Sequence, residues 1–151
     1  MAIQFNKHAE EANLFIKELA KTLGQPNEFG RTGILLQSVM HTLRDCISVK
    51  ASIDLIDELP MFLKGLYVDN WKYGEFSGKI RTLEEFKNKV KEKQDRYGEM
   101  EFDWPMHTDE LIRKVLEHLS QYISEGEAKE LISQFSSDMK MLLEEGLLSH
   151  D

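Results

Sequence analysis

One helical pattern occurs twice in this chain, and the repetition constrains the fold more than any other feature. The segment VMHTLRDCIS at residues 39–48 returns as VLEHLSQYIS at residues 115–124. When residues 35–66 are aligned with residues 111–142, at a constant separation of 76, nine of 32 positions are identical and no gap is needed. Seven of these nine residues are apolar and fall at helical spacing. The nine are Leu35, Val39, Leu43, Ile47, Ser48, Leu55, Ile56, Lys64 and Leu66.

The boundaries of the helices are marked by capping residues and glycines. Ser48, Thr82 and Ser124 precede apolar-periodic segments as N-caps, and Thr82 and Ser124 are each followed three residues later by a glutamate, which completes a capping box. Glycines at 24, 98 and 146 are placed to end helices. We therefore predict an all-α bundle of about eight helices.

The repeat also predicts the domain organisation. We expect one helical domain over residues 1–151, with repeat one at about 5–69, a connector at about 70–81 and repeat two at about 82–146. A four-helix repeat of this size cannot bury its own apolar face well, so the two repeats should share one core.

Composition limits the classes of function. The net charge of −8 disfavours nucleic-acid binding, because an acidic protein repels a phosphate backbone. No apolar run approaches the 18 or so residues of a membrane span, so we expect a soluble cytoplasmic protein. Cys46 is the only cysteine and lies in a helical apolar pattern, which predicts a buried, reduced thiol. Its place near a helix C-terminus disfavours a reactive thiolate.

No sequence motif identifies a catalytic centre or a cofactor site. Gly-rich phosphate loops, G-x-S-x-G, H-E-x-x-H and E-x-x-H are all missing from the sequence. A metal-dependent enzyme using His41, Asp45 and His118 is a third hypothesis, ahead of nucleic-acid binding, since matching helices of two repeats could bring these side chains together. We expect a protein without catalysis, cofactor or metal.

The connector between the repeats is rich in aromatic residues. Tyr67, Trp71, Tyr73 and Phe76 fall within ten residues. Such side chains can line a ligand groove or anchor a partner, and they can equally fasten two halves of a protein together. Both interpretations stay open at this point.

A basic segment contrasts with the acidic remainder. Residues 79–96 carry seven basic and four acidic side chains. This segment could guide a partner or a second copy of the chain, or it could be a solvated face with Glu85–Lys89 and Glu92–Arg96 pairs one turn apart.

Two segments, RTGILLQSVMHTLRDCI and LIDELPMFLKGLYVDNW, resemble the bacterial family called domain of unknown function 2267. The pattern comprises Arg31, the triplet 43–45 (Leu-Arg-Asp), Leu-Pro at 59–60, Gly-x-Tyr at 65–67, and Trp71. Asn70 and Lys72 stand where that family usually has Gly and Pro. The resemblance implies an all-helical bacterial cytoplasmic protein and no particular activity.

The family pattern and the aromatic connector nominate candidate ligand- or partner-binding residues, which are Arg31, Arg44, Asp45, Tyr67, Trp71 and Tyr73. A structural alternative exists for each. Arg44 and Asp45 could close a buried ion pair with Arg31 or with the connector, and Trp71 could seal the junction between the repeats.

Two functional hypotheses follow. The first is a non-catalytic interaction or scaffold module that binds a protein partner or associates with itself. The second is a small-molecule binding protein with a pocket at the repeat junction, lined by Tyr67, Trp71 and Tyr73.

Overall fold

The computed structural model describes residues 4–72, 80, 82–99 and 103–148. These residues form eight α-helices, which confirms the predicted all-α bundle. The helices are α1 (Phe5–Thr22), α2 (Phe29–Cys46), α3 (Val49–Glu58), α4 (Met61–Val68), α5 (Leu83–Arg96), α6 (Thr108–Ser120), α7 (Glu125–Ile132) and α8 (Ser137–Leu147). None of the helices in these ranges is long and apolar enough to cross a membrane.

The predicted N-caps are confirmed. The hydroxyls of Ser48, Thr82 and Ser124 each accept a hydrogen bond from the backbone N–H three residues later. These bonds satisfy amide groups that the first turn of a helix would leave unpaired. Local chemistry therefore sets where α3, α5 and α7 begin.

Two of the three predicted helix-ending glycines are confirmed. Gly24 and Gly98 follow α1 and α5 with φ of 80° and 105°, in the left-handed region that favours glycine. The prediction for Gly146 was wrong, because it lies inside α8. A Cβ at Gly146 would stand 2.6 Å from the Cβ of Leu116, so this glycine allows α8 to approach α6 closely.

One buried apolar cluster takes side chains from all eight helices. α2 contacts α6, α3 contacts α7, and α2 and α1 also pack against α5 and α6 of the other half. α3 and α7 begin 76 residues apart, at 49 and 125, and α4 and α8 do so at 61 and 137. The two-repeat organisation and its boundaries stay predictions, which these regularities support.

The charged face of α5 differs from its prediction in part. Glu92 and Arg96 form the expected pair at 3.0 Å. Lys89, however, pairs with Glu92 at 3.3 Å, and Glu85 accepts a hydrogen bond from its own cap, Thr82. Lys93 is buried and does not belong to the solvated face.

Candidate functional site

Side chains of α2 hold the end of α4. The last carbonyls of a helix have no partner within the helix. His41 Nε2 lies 2.7 Å from the carbonyl oxygen of Leu66, and Arg44 Nη1 donates to the carbonyls of Tyr67 and Asp69 at 2.7 and 2.9 Å. Residues 41 and 44 share a helix face, which explains why one helix can supply both donors.

Trp71 covers the Arg44 side chain. The guanidinium carbon lies 5.6 Å from the centre of the Trp71 ring, a cation–π geometry. Asn70 has a φ of 57°, which turns the chain after α4. Asparagine tolerates this left-handed conformation better than most residues. This tolerance explains why asparagine can replace the glycine that is usual at this position in the family that the sequence resembles.

Tyr67 is buried next to Trp71. Its hydroxyl lies 2.7 Å from Ser52 Oγ of α3, and its ring meets Trp71 edge to face with centres 5.9 Å apart. Burial raises the pKa of the Tyr67 hydroxyl far above its usual value, although the hydrogen bond with Ser52 opposes this. The hydroxyl therefore stays neutral and joins α4 to α3.

A buried ion pair joins α2 to α5. Asp45 Oδ2 lies 2.8 Å from Lys93 Nζ, and both side chains are almost entirely buried. The other carboxylate oxygen, Asp45 Oδ1, and the neighbouring Arg44 Nε have no hydrogen-bond partner in the structure. A buried ion pair is costly to break, because a single charge would remain away from water.

His41 forms a second polar link to α5. Its Nδ1 lies 2.8 Å from the hydroxyl of Tyr97. Since the Leu66 carbonyl can only accept, Nε2 carries the proton, and the Tyr97 hydroxyl donates to Nδ1. Burial lowers the pKa of His41, the Leu66 carbonyl opposes the effect, and Arg44 and Lys93 add to it. The imidazole is therefore held neutral.

Cys46 is the last residue of α2 and directly follows Asp45 in the chain. It is half-buried, and burial, followed by the nearby Asp45 carboxylate, raises the pKa of its thiol to about 12. A thiol with so high a pKa is a poor nucleophile at neutral pH. The thiol was predicted to be buried and reduced; it is only half-buried, and its redox state stays a prediction.

The predicted site residues do not all meet. Arg44, Asp45, Tyr67 and Trp71 belong to one cluster, as described above. Arg31 lies elsewhere, 3.4 Å from Glu28, and its charge offsets a small part of the rise that burial causes in the pKa of Glu99. Tyr73 and the connector residue Phe76 lie outside the described residues.

The metal site considered from the sequence, with His41, Asp45 and His118 as ligands, is not assembled in the described part of the chain. Asp45 is paired with Lys93, and both ring nitrogens of His41 are engaged. His118 instead contacts Thr22 and the ring of Phe15. The described residues contain no group of three or more His, Cys, Asp or Glu side chains that could hold a metal ion.

A groove that sequence reasoning missed lies between α5 and the start of α6. It is open to solvent, has a volume of about 510 Å³ and includes Lys91, Gln94, Glu99 and Trp104 among its lining residues. Glu99 is buried, and it accepts hydrogen bonds from Gln94 Nε2 and Trp104 Nε1. Burial raises the pKa of Glu99, whereas these two donors lower it. No motif marks this groove, because its walls come from a connector and two helices.

A second cavity lies within the core, where the two halves meet. It encloses about 10 Å³, which is close to the smallest volume that can hold one water molecule. Its walls are apolar and include Tyr67 of α4 and Leu116 of α6.

Large apolar side chains are exposed on α3 and α4. They are Val49 (48% exposed), Ile53 (57%), Met61 (57%) and Val68 (43%). The residues 76 positions later are Glu125, Lys129, Ser137 and Glu144, all exposed on α7 and α8. Corresponding positions of the two halves are thus apolar in the first and polar in the second.

A family model described as "Uncharacterized conserved protein (DUF2267)" matches residues 12–142. The match covers most of the chain, and it agrees with the resemblance seen in the sequence. No curated protein matches the chain.

Proposed function

Because the chain belongs to the DUF2267 family of uncharacterized conserved proteins, whose description carries no activity, we propose a function from the arrangement of its residues. The protein is a non-catalytic helical interaction module of the bacterial cytoplasm. It binds a protein partner or a second copy of itself, and its outer helix faces carry that binding.

This proposal rests on the finding that polar residues of the family pattern make structural contacts inside the protein. Arg44 donates to backbone carbonyls at the end of α4, Asp45 pairs with Lys93, and the Tyr67 hydroxyl meets Ser52. Each of these groups makes contacts inside the protein that join one helix to another. The apolar side chains left on the surface then offer what an interaction partner requires.

The chemistry of the buried groups supports a module without catalysis. A general acid or base works best with a pKa near the ambient pH, and a nucleophile needs activation. The pKa of Cys46 and that of Tyr67 are instead raised well away from neutrality. The neutral His41 is closed off by Leu66 and Tyr97.

A small-molecule binding protein is the second candidate. The groove beside Trp104 favours it, because about 510 Å³ falls within the usual range of ligand pockets. A pocket at the repeat junction, lined by Tyr67, Trp71 and Tyr73, stays a prediction, since Tyr73 lies outside the described residues.

Native mass spectrometry distinguishes the two candidates. The protein is purified untagged from its own host without added metal. We expect the unmodified polypeptide mass within a dimer or a complex with another protein. A monomer that carries an additional small mass would contradict the interaction module. Loss of that mass from Lys91→Ala would then assign it to the groove.

A further inference from the structure

We propose that the exposed face of α3 is the interface with a second copy of this chain, in which two α3 helices pair antiparallel about a twofold axis. This inference rests on the proposed interaction function and names its surface and its partner. It is carried by the contrast between α3 and α7, and by the distribution of charge along α3.

The apolar residues of α3 form a stripe with coiled-coil spacing. Val49 and Ile53 are exposed and four residues apart, and the partly buried Ile56 follows three residues later. This four–three spacing places the three side chains in one line along the helix. A second helix laid on that line would cover all three.

The charged residues beside this stripe are arranged so that those of one copy can pair with those of a second copy. Lys50 and Asp57 are exposed and stand seven residues apart, so they flank the stripe on the same side. When two α3 helices run antiparallel about a point between residues 53 and 54, each Lys50 faces the Asp57 of the other copy. Such a contact is isologous, and each favourable pair therefore occurs twice.

Several carboxylates lie near the contact between α3 and α7. Burial, followed by the carboxylates of Asp54, Glu58 and Glu130, raises the pKa of Glu127 on the adjacent α7. Within its own copy, Lys50 reaches Asp54 at 3.2 Å. A second copy brings another Lys50 to the acidic end of the helix, which offsets part of the repulsion between two acidic chains.

The second half of the chain provides an internal comparison. At the positions of Val49, Lys50, Ile53 and Asp57, the α7 segment carries Glu125, Gly126, Lys129 and Ser133. The apolar stripe and the complementary charges are both missing from α7. The residue of α7 that corresponds to Ile53 is therefore an exposed lysine.

Sedimentation at about 100 µM, where dimers of micromolar Kd are populated, tests the surface. We expect a dimer for the wild type. Ile53→Lys should raise Kd by roughly 1,000-fold, because a central contact is lost twice. Met141→Lys is the matched control, since Met141 is 66% exposed on α8 and lies outside the proposed interface. This control should remain dimeric.

Charge reversal tests the antiparallel register. Lys50→Asp should weaken the dimer by about tenfold, because like charges then face each other. Adding Asp57→Lys should restore it. A monomeric wild type, equal effects of the Ile53 and Met141 variants, or no restoration would overturn the inference. A dimer that survives Ile53→Lys would reject this surface and leave the interaction function standing, whereas a monomer with a retained small mass would reject that function.

Discussion

Asp45 of α2 and Lys93 of α5 form an ion pair inside the protein, with Oδ2 2.8 Å from Nζ. The two residues are 48 positions apart, and the pair fastens the first half of the chain to the second. Lys93→Met should lower the free energy of unfolding by about 3–5 kcal/mol, because the Asp45 carboxylate would remain buried without its cation.

Urea denaturation measures this change. Lys129→Met makes the same replacement in the exposed pair of Lys129 and Glu125, and it should leave the free energy of unfolding nearly unchanged. Combining Lys93→Met with Asp45→Asn should recover part of the loss. If Lys93→Met were as harmless as Lys129→Met, the buried pair would not be a link between the halves.

Arg44 should contribute to stability through the end of α4. Arg44→Met keeps much of the aliphatic stem but leaves the Tyr67 and Asp69 carbonyls without their donor. We expect a loss of about 2–4 kcal/mol in the free energy of unfolding, together with a change in Trp71 fluorescence, because the guanidinium lies over that ring. Unchanged denaturation and fluorescence would contradict this role.

Stability should depend on pH through His41, whose pKa is lowered by burial from 6.5. Below pH 6.5 the unfolded chain takes up a proton before the folded chain does. The free energy of unfolding therefore falls as the pH falls from 6.5 towards the lower folded pKa, and this contribution is fully present above pH 6.5. Denaturation of His41→Gln across this window should show a shallower dependence; an identical slope would refute the assignment.

Cys46 should react slowly in the folded protein. Its thiol has a pKa of about 12 because of burial, so little thiolate forms at about pH 8. Modification by a thiol reagent should be at least about tenfold faster in urea than in the native state. Equal rates in the two states would show that the thiol is accessible and ionised in the fold.

Gly146 should resist replacement. Gly146→Ala places a Cβ against Leu116, and we expect a loss of about 1–3 kcal/mol from overpacking. Gly33→Ala within α2 is the control, because a Cβ there meets nothing within 4 Å. That variant should gain about 0.5–1 kcal/mol. Thermal denaturation compares the two, and similar effects would contradict the close approach of α6 and α8.

The helices were predictable because their signals are local. The hydroxyls of Ser48, Thr82 and Ser124 act on amide groups three residues away, so the sequence places them without knowledge of the fold. Gly146 misled the prediction, since a glycine near a helix end can serve either as a cap or as a point of close packing. Only the position of Leu116, 30 residues earlier, decides between these roles.

The candidate site was predictable only in part. Arg44, Tyr67 and Trp71 were nominated by the family pattern, and they do lie together. Lys93 was counted with the basic face of α5, because helical spacing alone does not reveal that Asp45 lies opposite. The groove at Glu99 and Trp104 was missed for the same reason. Its walls come from segments whose proximity depends on the packing of α5 against α6.

The residues at the end of α4 hold the fold, whereas the exposed face of α3 is proposed to carry association. Sedimentation velocity of Arg44→Met beside Ile53→Lys, at about 100 µM and a temperature where both are folded, distinguishes these two roles. We expect that Arg44→Met remains a dimer despite its lower stability, and that Ile53→Lys is a monomer. A folded Arg44→Met monomer beside an Ile53→Lys dimer would contradict the account and place the binding surface at the end of α4.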